Sequence, residues 1–193
     1  EQRSKLPPSE KVILYLGTLS KVRRMDFMIR VLARVRLEEP AVRLYFVGRG
    51  DDPTDEQLLI DEARRLGLTD AVVLTGQKPR DEAFQYVREA DVCVSPFFPN
   101  PILNSTSPTK LVEYMALGLP VIANDHPEQR LILRESRGGV RVARVQYPTA
   151  VRSGVPDHGA ALCRVETVGT RAGAVVLYVE PLASGEIQIY LRI

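Results

Sequence analysis

The chain has 193 residues, of which 45% are apolar and 26% are charged, and its formal net charge is +2. This length allows one domain whose core needs neither disulfide nor metal, and the small charge argues against nucleic acid or an anionic membrane as the main partner. The two cysteines and two histidines lack the spacing of structural zinc sites. The sequence shows neither an apolar signal segment nor a run of membrane-spanning length, so we expect a retained, cytoplasmic protein.

Strand and helix patterns alternate along most of the chain. Residues 1–9 are expected to be a linker because they contain two consecutive prolines. Apolar runs predict strands at 12–16, 42–47, 72–74, 91–95 and 120–123. Apolar residues at helical spacing, with proline and glycine at the ends, predict helices at 25–35, 58–66, 80–89, 108–117 and 127–135. Residues 96–107 are expected to be a proline-rich loop. Five strand–helix repeats predict an α/β fold, a doubly wound parallel Rossmann-like sheet with helices on both faces.

The pattern changes after Gly139. Residues 140–143 still fit a sixth strand, which would close a domain at 10–143, but 144–193 show no helical period. The net charge also changes, from −2 over residues 1–129 to +4 over residues 130–193. Two interpretations of this divergent tail stay open. It is either a small hairpin built from 174–179 and 187–193, or a frameshifted or fused segment.

A basic loop follows the first strand. Lys21, Arg23 and Arg24 lie within four residues, immediately before a helix. Cations at a helix N-terminus oppose the helix dipole, so their presence indicates an anionic ligand. The alternative is a solvated basic turn without a ligand.

A second polar loop follows the fourth strand and begins a helix. Ser107 is a good N-cap and Pro108 suits the first helical position, which would leave the amides of Thr109 and Lys110 pointing outward to bind an anion. Glu113 lies one turn further, where its carboxylate can accept two hydrogen bonds from a ribose diol. The alternative is an ordinary capped helix. Both loops follow strands that should flank the point where strand order reverses, which favours a nucleotide ligand.

Two further patterns carry less weight. Glycines at 48 and 50 form a GxG that lacks the third glycine and follows the second strand, so it is weak support for NAD binding. Asp51, Asp52 and Asp55 look like a metal cluster, but acids at this spacing before a helix more often cap it.

Asp125 and His126 form a candidate acid–base pair in the loop after the fifth strand, although capping of the following helix is the simpler role. Cys93 alternates with two valines in a strand and is expected to belong to the core.

Longer segments resemble a known family. Lys110-Leu-Val-Glu-Tyr-Met-Ala-Leu-Gly-Leu-Pro-Val-Ile-Ala123 resembles the signature helix and following strand of the family 4 glycosyltransferases, a retaining group with the GT-B fold. Ala90-Asp-Val-Cys-Val-Ser-Pro96, Gly17-Thr-Leu19, Phe46-Val-Gly-Arg-Gly50 and Leu74-Thr-Gly76 resemble other family segments in the same order. The resemblance covers residues 10–139. It implies the C-terminal, donor-binding half of a two-domain enzyme.

The resemblance assigns roles to residues of both loops. Glu113 matches the second glutamate of the family's Glu-x7-Glu motif, which binds the donor ribose, whereas Ser105 stands where the first glutamate would be. Arg23 matches the phosphate-binding lysine. Thr18 replaces the family's usual arginine, and Lys21 or Arg24 is expected to supply the lost charge.

The other implied contacts concern the diphosphate and the base. The diphosphate would be bound by the helix start, at Ser107, Thr109 and Lys110. The base would lie against Gly76, Gln77 and Lys78, which follow the third strand. The family usually works without metal, and this sequence has no Asp-x-Asp motif, so no metal or other cofactor is expected.

Three functions follow from the resemblance. The first is the donor-binding half of a retaining glycosyltransferase, whose partners are a nucleotide-sugar donor and an N-terminal acceptor domain that this chain lacks. The others are a nucleotide-sugar binding module without activity and an epimerase-type enzyme of the same fold. The resemblance also leaves open a peripheral membrane location for the full-length enzyme.

Overall fold

A computed structural model describes residues 5–7, 10–97, 101–124, 126–135, 142–145, 163–164, 176–181 and 187–192. The chain divides into two compact units, Glu1–Cys93 and Val94–Ile193. Among the described residues, no helix has both the length and the apolar character needed to cross a membrane.

The first unit is built on parallel strands. β1 (Lys11–Leu16) lies between β2 (Val42–Val47) and β4 (Val92–Ser95), and β3 (Val72–Leu74) pairs with the far side of β2. Strand order therefore runs β3-β2-β1-β4 and reverses direction between β1 and β4. In an open parallel sheet, this reversal opens a crevice beyond the carboxyl ends of the strands.

The helices of the first unit cover both faces of the sheet. α1 (Asp26–Glu38) and α2 (Pro53–Arg65) pack against each other, while α3 (Arg80–Glu89) packs against β1. Right-handed crossovers place α1 and α2 on one face and α3 on the other, because the chain crosses the sheet in opposite directions before and after β3. The predicted doubly wound parallel α/β fold is confirmed.

The core of the first unit follows from its apolar patterns. The four central residues of β1, from Val12 to Tyr15, are all buried, as expected for a strand covered on both faces. Ile29 and Leu32 of α1 are fully buried against the sheet. Each such side chain contributes about 1.5–3 kcal/mol of transfer free energy. Cys93 is also fully buried, which confirms its expected place in the core.

Part of the expected linker is anchored to the first unit. The side chain of Leu6 is buried, and the backbone amides of Lys5 and Leu6 donate to Glu89 Oε2 at 2.7 and 2.8 Å. The Lys5 ammonium also lies 3.5 Å from Glu82 Oε1. These contacts attach the segment to α3 at two acidic residues.

The second unit continues the alternation. It contains α4 (Pro101–Asn104), α5 (Thr109–Ala116), β5 (Val121–Asn124), α6 (Pro127–Glu135) and β6 (Val142–Val145). α5 packs on β5, and its residues Leu111 and Tyr114 are fully buried in the core of the second unit. β5 and β6 pair in parallel. The segment expected to be only a proline-rich loop contains the short helix α4, which is a correction to the prediction.

The described parts of the tail are antiparallel strands. β7 (Cys163–Arg164) pairs with β6 and β8, and β8 (Val176–Pro181) pairs with β9 (Ile187–Arg192) over six residue positions on each strand. This is the hairpin interpretation of the tail. The frameshift interpretation stays a prediction, since pairing of the strands does not bear on the origin of their sequence.

Candidate functional site

Three loops follow the carboxyl ends of β1, β2 and β3, and backbone hydrogen bonds join the start of one loop to the end of the next strand or the residues after it. The Gly17 amide donates to the Val47 carbonyl at 3.0 Å, and the Gly48 amide donates to the Gly76 carbonyl at 3.1 Å. A Cβ on Gly48 would lie 2.0 Å from the Gly17 carbonyl oxygen, so the close approach of these two loops requires glycine. The predicted phosphate loop and the predicted base loop are therefore both bonded to the loop after β2, which lies between them.

The basic loop after β1 forms a short 3₁₀ turn, Lys21–Arg23. The Arg23 amide donates to the Ser20 carbonyl at 2.9 Å, and the Arg24 amide donates to the Lys21 carbonyl at 3.0 Å. Arg24 ends the turn in the left-handed region, with φ of 52°. These internal bonds give the loop one defined backbone shape.

The cations of this loop have different environments. The Lys21 ammonium hydrogen-bonds to Thr54 Oγ1, and Arg24 Nε lies 3.3 Å from Asp26 Oδ1. Arg23 is half-buried, and among the described residues no carboxylate lies within ion-pair distance of its guanidinium. Thr18 contributes its carbonyl oxygen, which accepts a hydrogen bond from the Tyr15 hydroxyl at 3.1 Å.

Asp55 holds the basic loop against the start of α2. It is 5% exposed and accepts three backbone hydrogen bonds at 3.0 Å, from Lys21 at Oδ1 and from Asp51 and Asp52 at Oδ2. Asp52 is the N-cap of α2, accepting from the Thr54 amide at 2.8 Å. The prediction that these acids cap a helix is confirmed.

The predicted base loop carries Gly76, Gln77 and Lys78. The Gly76 carbonyl accepts from the Thr75 hydroxyl at 2.9 Å as well as from Gly48. Gln77 is exposed, and the Lys78 ammonium lies 3.4 Å from Glu82 Oε1. Hydrogen bonds thus fix the backbone of this loop, while the Gln77 side chain is exposed and the Lys78 side chain is half-buried.

The start of α5 differs from the prediction by one residue. Ser107 is not the N-cap, because α5 begins at Thr109 and its N-cap is Pro108, which has ψ of 64° and no capping side chain. The Thr109 amide is consequently not free, since it donates to the Ser107 carbonyl at 2.9 Å. In the part of the chain that the structure describes, the Lys110 amide has no acceptor. One outward donor, rather than two, therefore stands at this helix end.

Lys110 and Glu113 form an ion pair near the start of α5. Lys110 Nζ lies 3.2 Å from Glu113 Oε2, and the two side chains are 35% and 28% exposed. Glu113 follows the first turn of the helix, which itself contains no acidic residue. Ser105 and Ser107 are both exposed before the helix.

His126 belongs to the interior of the second unit. It is 1% exposed, its ring centroid lies 4.6 Å from that of Phe97, and its Nε2 lies 3.1 Å from the Leu103 carbonyl oxygen. Asp125, the other member of the candidate acid–base pair, lies outside the described residues.

Sequence reasoning missed the role of Tyr15. Its hydroxyl lies directly beneath the Gly17–Thr18 turn, where a Cβ on Gly17 would stand 2.9 Å from the phenolic oxygen. The available signal was a phenol inside an otherwise apolar strand, since a buried tyrosine hydroxyl usually has a partner.

Comparison with known proteins places most of the chain in one family. The family model described as "Glycosyl transferases group 1" matches residues 10–154. The match continues past Gly139, where we expected the resemblance to stop. The matched residues include β6, which pairs in parallel with β5.

Individual relatives agree with the family model. The chain is 27% identical over 146 residues to the D-inositol 3-phosphate glycosyltransferase of Streptosporangium roseum, covering 72% of this chain and 32% of the relative. It is 32% identical over 129 residues to the alpha-monoglucosyldiacylglycerol synthase of Streptococcus pneumoniae, covering 66% of this chain and 27% of the relative. The chain thus spans about a third of the length of the curated relatives it matches.

A solved structure shares the fold. The crystal structure of HepE from Anabaena, in complex with UDP and glucose, matches with a TM-score of 0.59 and 22% identity. The match covers 75% of this chain and 36% of that one. At this level of identity the likeness concerns the fold.

Proposed function

This chain belongs to the group 1 glycosyl transferases, and we propose that it is the donor-binding half of a retaining enzyme that transfers a glycosyl group from a nucleotide-sugar to an acceptor. The chain spans about a third of its relatives, so the acceptor side would come from a domain outside it. The start of α5 carries the proposal, because it combines an unused amide, an ammonium group and a carboxylate within one turn.

The first turn of α5 suits the two ends of a ribose–diphosphate group. The open Lys110 amide and the positive end of the helix dipole favour a phosphate oxygen. In the free chain the Lys110 ammonium is paired with Glu113. A bound diphosphate would compete for that ammonium, and a ribose diol would give the Glu113 carboxylate new donors in its place.

In the proposed reaction, negative charge grows on the departing diphosphate as the bond to the sugar breaks. Fixed cations and amide donors stabilise such charge without reorganisation at the moment of reaction. We assign this task to Lys110 with its amide, and to Arg23, whose turn is already shaped by internal hydrogen bonds. Gly76, Gln77 and Lys78 are proposed to contact the base, and no metal is required by this scheme.

Calorimetry with UDP, GDP and ADP tests donor binding by the full chain. Glu113→Ala should weaken binding of the preferred nucleotide about tenfold to a hundredfold, which is the range for a lost charged hydrogen bond. The 2′,3′-dideoxy analogue should bind wild type and variant alike. Glu128→Ala is the matched control, because Glu128 is an exposed acid in the first turn of α6.

Two results would count against this assignment. One is the absence of binding of all three nucleotides at millimolar concentration by folded chain. The other is equal affinity of wild type for the native and dideoxy nucleotides, which would leave Glu113 without a ribose to recognise. Positioning of both reactants supplies much of the rate of such reactions, so the chain alone should not transfer sugar at an enzyme-like rate.

A further inference from the structure

His126 is a buried imidazole that the proposed reaction does not use. It is 1% exposed, and its ring lies against Phe97 with centroids 4.6 Å apart. The His126 carbonyl accepts the Arg130 amide at 2.8 Å, so its backbone makes a hydrogen bond at the start of α6. An apolar side chain would pack here without the cost of burying a polar ring. The imidazole nitrogens therefore need a separate explanation.

The two ring nitrogens of His126 have different environments. Nε2 lies 3.1 Å from the Leu103 carbonyl oxygen, whereas Nδ1 is buried and has no hydrogen-bond partner among the described residues. A carbonyl oxygen can only accept, so Nε2 carries a proton and donates it to Leu103. Within the described part of the chain, the ring is thus bonded to the Leu103 carbonyl alone.

The Leu103 carbonyl also closes the turn that ends α4. It accepts from the Thr106 amide at 3.1 Å and from Thr106 Oγ1 at 2.7 Å. Three donors therefore share the acceptor of one buried residue. Two of them are local, and the third, from His126, comes from the loop after β5. The imidazole thus ties this turn to a different strand end of the second unit.

The turn leads directly into the start of α5. Three residues separate Thr106 from Lys110, and one of them is the buried Pro108, whose ring restricts the backbone. The direction in which the chain leaves Thr106 therefore sets the position of the Lys110 amide and ammonium. The open donor at the start of α5 depends on the turn that His126 holds.

We propose that His126 is a positioning residue: its Nε2–H group fixes the Leu103–Thr106 turn, and through that turn the amide and ammonium of Lys110 that meet the donor diphosphate. The inference rests on the proposed function for the identity of the ligand. The hydrogen bond between His126 and Leu103 belongs to the free chain and can be tested without any ligand.

The first measurement detects the ring proton in the chain without ligand. The sequence has only two histidines, so NMR of the ¹⁵N-labelled rings gives few signals, and the set lost in His126→Gln belongs to His126. Its Nε2–H proton should be visible in water, because a buried, hydrogen-bonded proton exchanges slowly. A proton on Nδ1 instead, or no protected ring proton, would overturn the proposal, whatever the chain binds.

The second measurement is the exchange of the Thr106 amide with solvent, again without ligand. His126→Leu removes the ring donor and should speed this exchange about fivefold, as expected for loss of one hydrogen bond. His126→Gln, whose side-chain amide can replace the Nε2–H group, should restore slow exchange. Unchanged exchange in His126→Leu would show that the turn holds without the imidazole.

The third measurement is the affinity for UDP and for uridine. His126→Leu should weaken UDP binding about threefold to tenfold, and His126→Gln should recover most of the loss. Uridine binding should change little, because the body of α5, which carries Glu113, is held by its packing on β5. An equal loss for both ligands, or a variant with glutamine as weak as the one with leucine, would overturn the positioning role.

Val121→Ala is the matched control for a loss of stability. Val121 is also 1% exposed in the second unit, but it lies at the beginning of β5, at the opposite end of the strand from His126. This substitution should lower the free energy of unfolding without changing the UDP affinity of the folded chain. A comparable loss of UDP affinity in this control would mean that the effect of His126→Leu is general loosening.

Thr106→Val keeps the proposal testable if His126→Leu does not fold. It removes the other side-chain donor to the Leu103 carbonyl, so the His126 Nε2–H signal should move as its share of that acceptor changes. An unmoved signal would contradict a shared acceptor. If folded wild type binds no nucleotide, the proposed function fails, while the ring proton and the Thr106 amide still decide whether His126 holds this turn.

Discussion

At the N-terminus of α2, nearby carboxylates accept backbone hydrogen bonds, whereas α5 begins without a capping side chain. At α2, Asp52 accepts the Thr54 amide and Asp55 accepts the amide of Asp52 in return. Glu56 accepts the amide of Gly50 at 3.2 Å. The carboxylates of this turn therefore accept amides of the turn and of the loop before it, and they already balance the helix dipole.

At α5 the same positions offer no acid. Pro108 has no capping side chain, the first turn has no acidic residue, and a cation occupies its second position. The Lys110 amide finds no acceptor among the described residues. The comparison teaches that acidic residues at a helix start indicate a structural cap. At α5 a cation replaces them, which fits the proposed binding of an external anion.

Removal of the α2 acceptor should cause the largest effect. Asp55→Ala leaves three backbone donors without their buried acceptor, and we expect a loss of about 2–4 kcal/mol in the free energy of unfolding. Asp51→Ala, in which an exposed carboxylate is removed, should change it by less than about 0.5 kcal/mol. Urea denaturation of both variants measures the difference. Equal changes in the free energy of unfolding would mean that the hydrogen bonds to Asp55 do not stabilise this loop.

Removal of the α5 cation should change binding rather than stability. Lys110→Met should weaken UDP binding about tenfold or more, by loss of a charge-assisted contact. The unfolding free energy should fall by no more than about 1 kcal/mol, because the Lys110–Glu113 pair is partly exposed. Lys11→Met is the matched control, since the Lys11–Glu39 pair is 37% and 32% exposed. A parallel loss of UDP affinity in that control would point to a non-specific effect of charge.

A carboxylate placed at α5 should make its start resemble that of α2. Thr109 is exposed at the first helical position, so Thr109→Asp should stabilise the free chain by about 0.3–1 kcal/mol through the helix dipole. The same charge should repel a diphosphate and lower UDP affinity several-fold. Thr109→Asn separates charge from hydrogen bonding. Changes of the same sign in stability and affinity would contradict the comparison.

The elements of the fold could be predicted because they depend on local periodicity. The strands and α-helices of the first unit overlap the predicted ones. The exception in bounds is α2, which begins at Pro53 rather than within the predicted range 58–66, because its polar first turn carries no apolar period. The start of α5 was wrong by one residue because proline suits both the N-cap and the first helical position. Only its ψ of 64° decides between them.

The side-chain contacts of the site could not be predicted, because they join residues that no periodicity relates. Lys21 bonds to Thr54 and its amide to Asp55, more than thirty positions further along the chain. The sequence showed three equivalent cations, but the structure gives Lys21 and Arg24 different partners. The role of the Tyr15 hydroxyl was hidden for a related reason, because a phenol in a buried strand looks like any other core residue.

The smallest effect concerns the pH dependence of the α2 cap. Hydrogen bonds from the Thr54 side chain and backbone, together with the Lys21 charge, lower the pKa of Asp52 below its ordinary value. Because the folded pKa is the lower one, the stabilisation by Asp52 is complete above the unfolded pKa and is lost as pH falls through the folded pKa. Asp52→Asn keeps an acceptor but cannot titrate. Urea unfolding between pH about 7 and about 2 should therefore show a more stable wild type at neutral pH, with the unfolding free energies of wild type and variant converging in acid.

The start of α5 has no such carboxylate, so Thr109→Asp should bring a similar acid-dependent stabilisation to that helix. If the difference in unfolding free energy between wild type and Asp52→Asn persists in acid, a titrating charge is not what distinguishes the start of α2 from the start of α5.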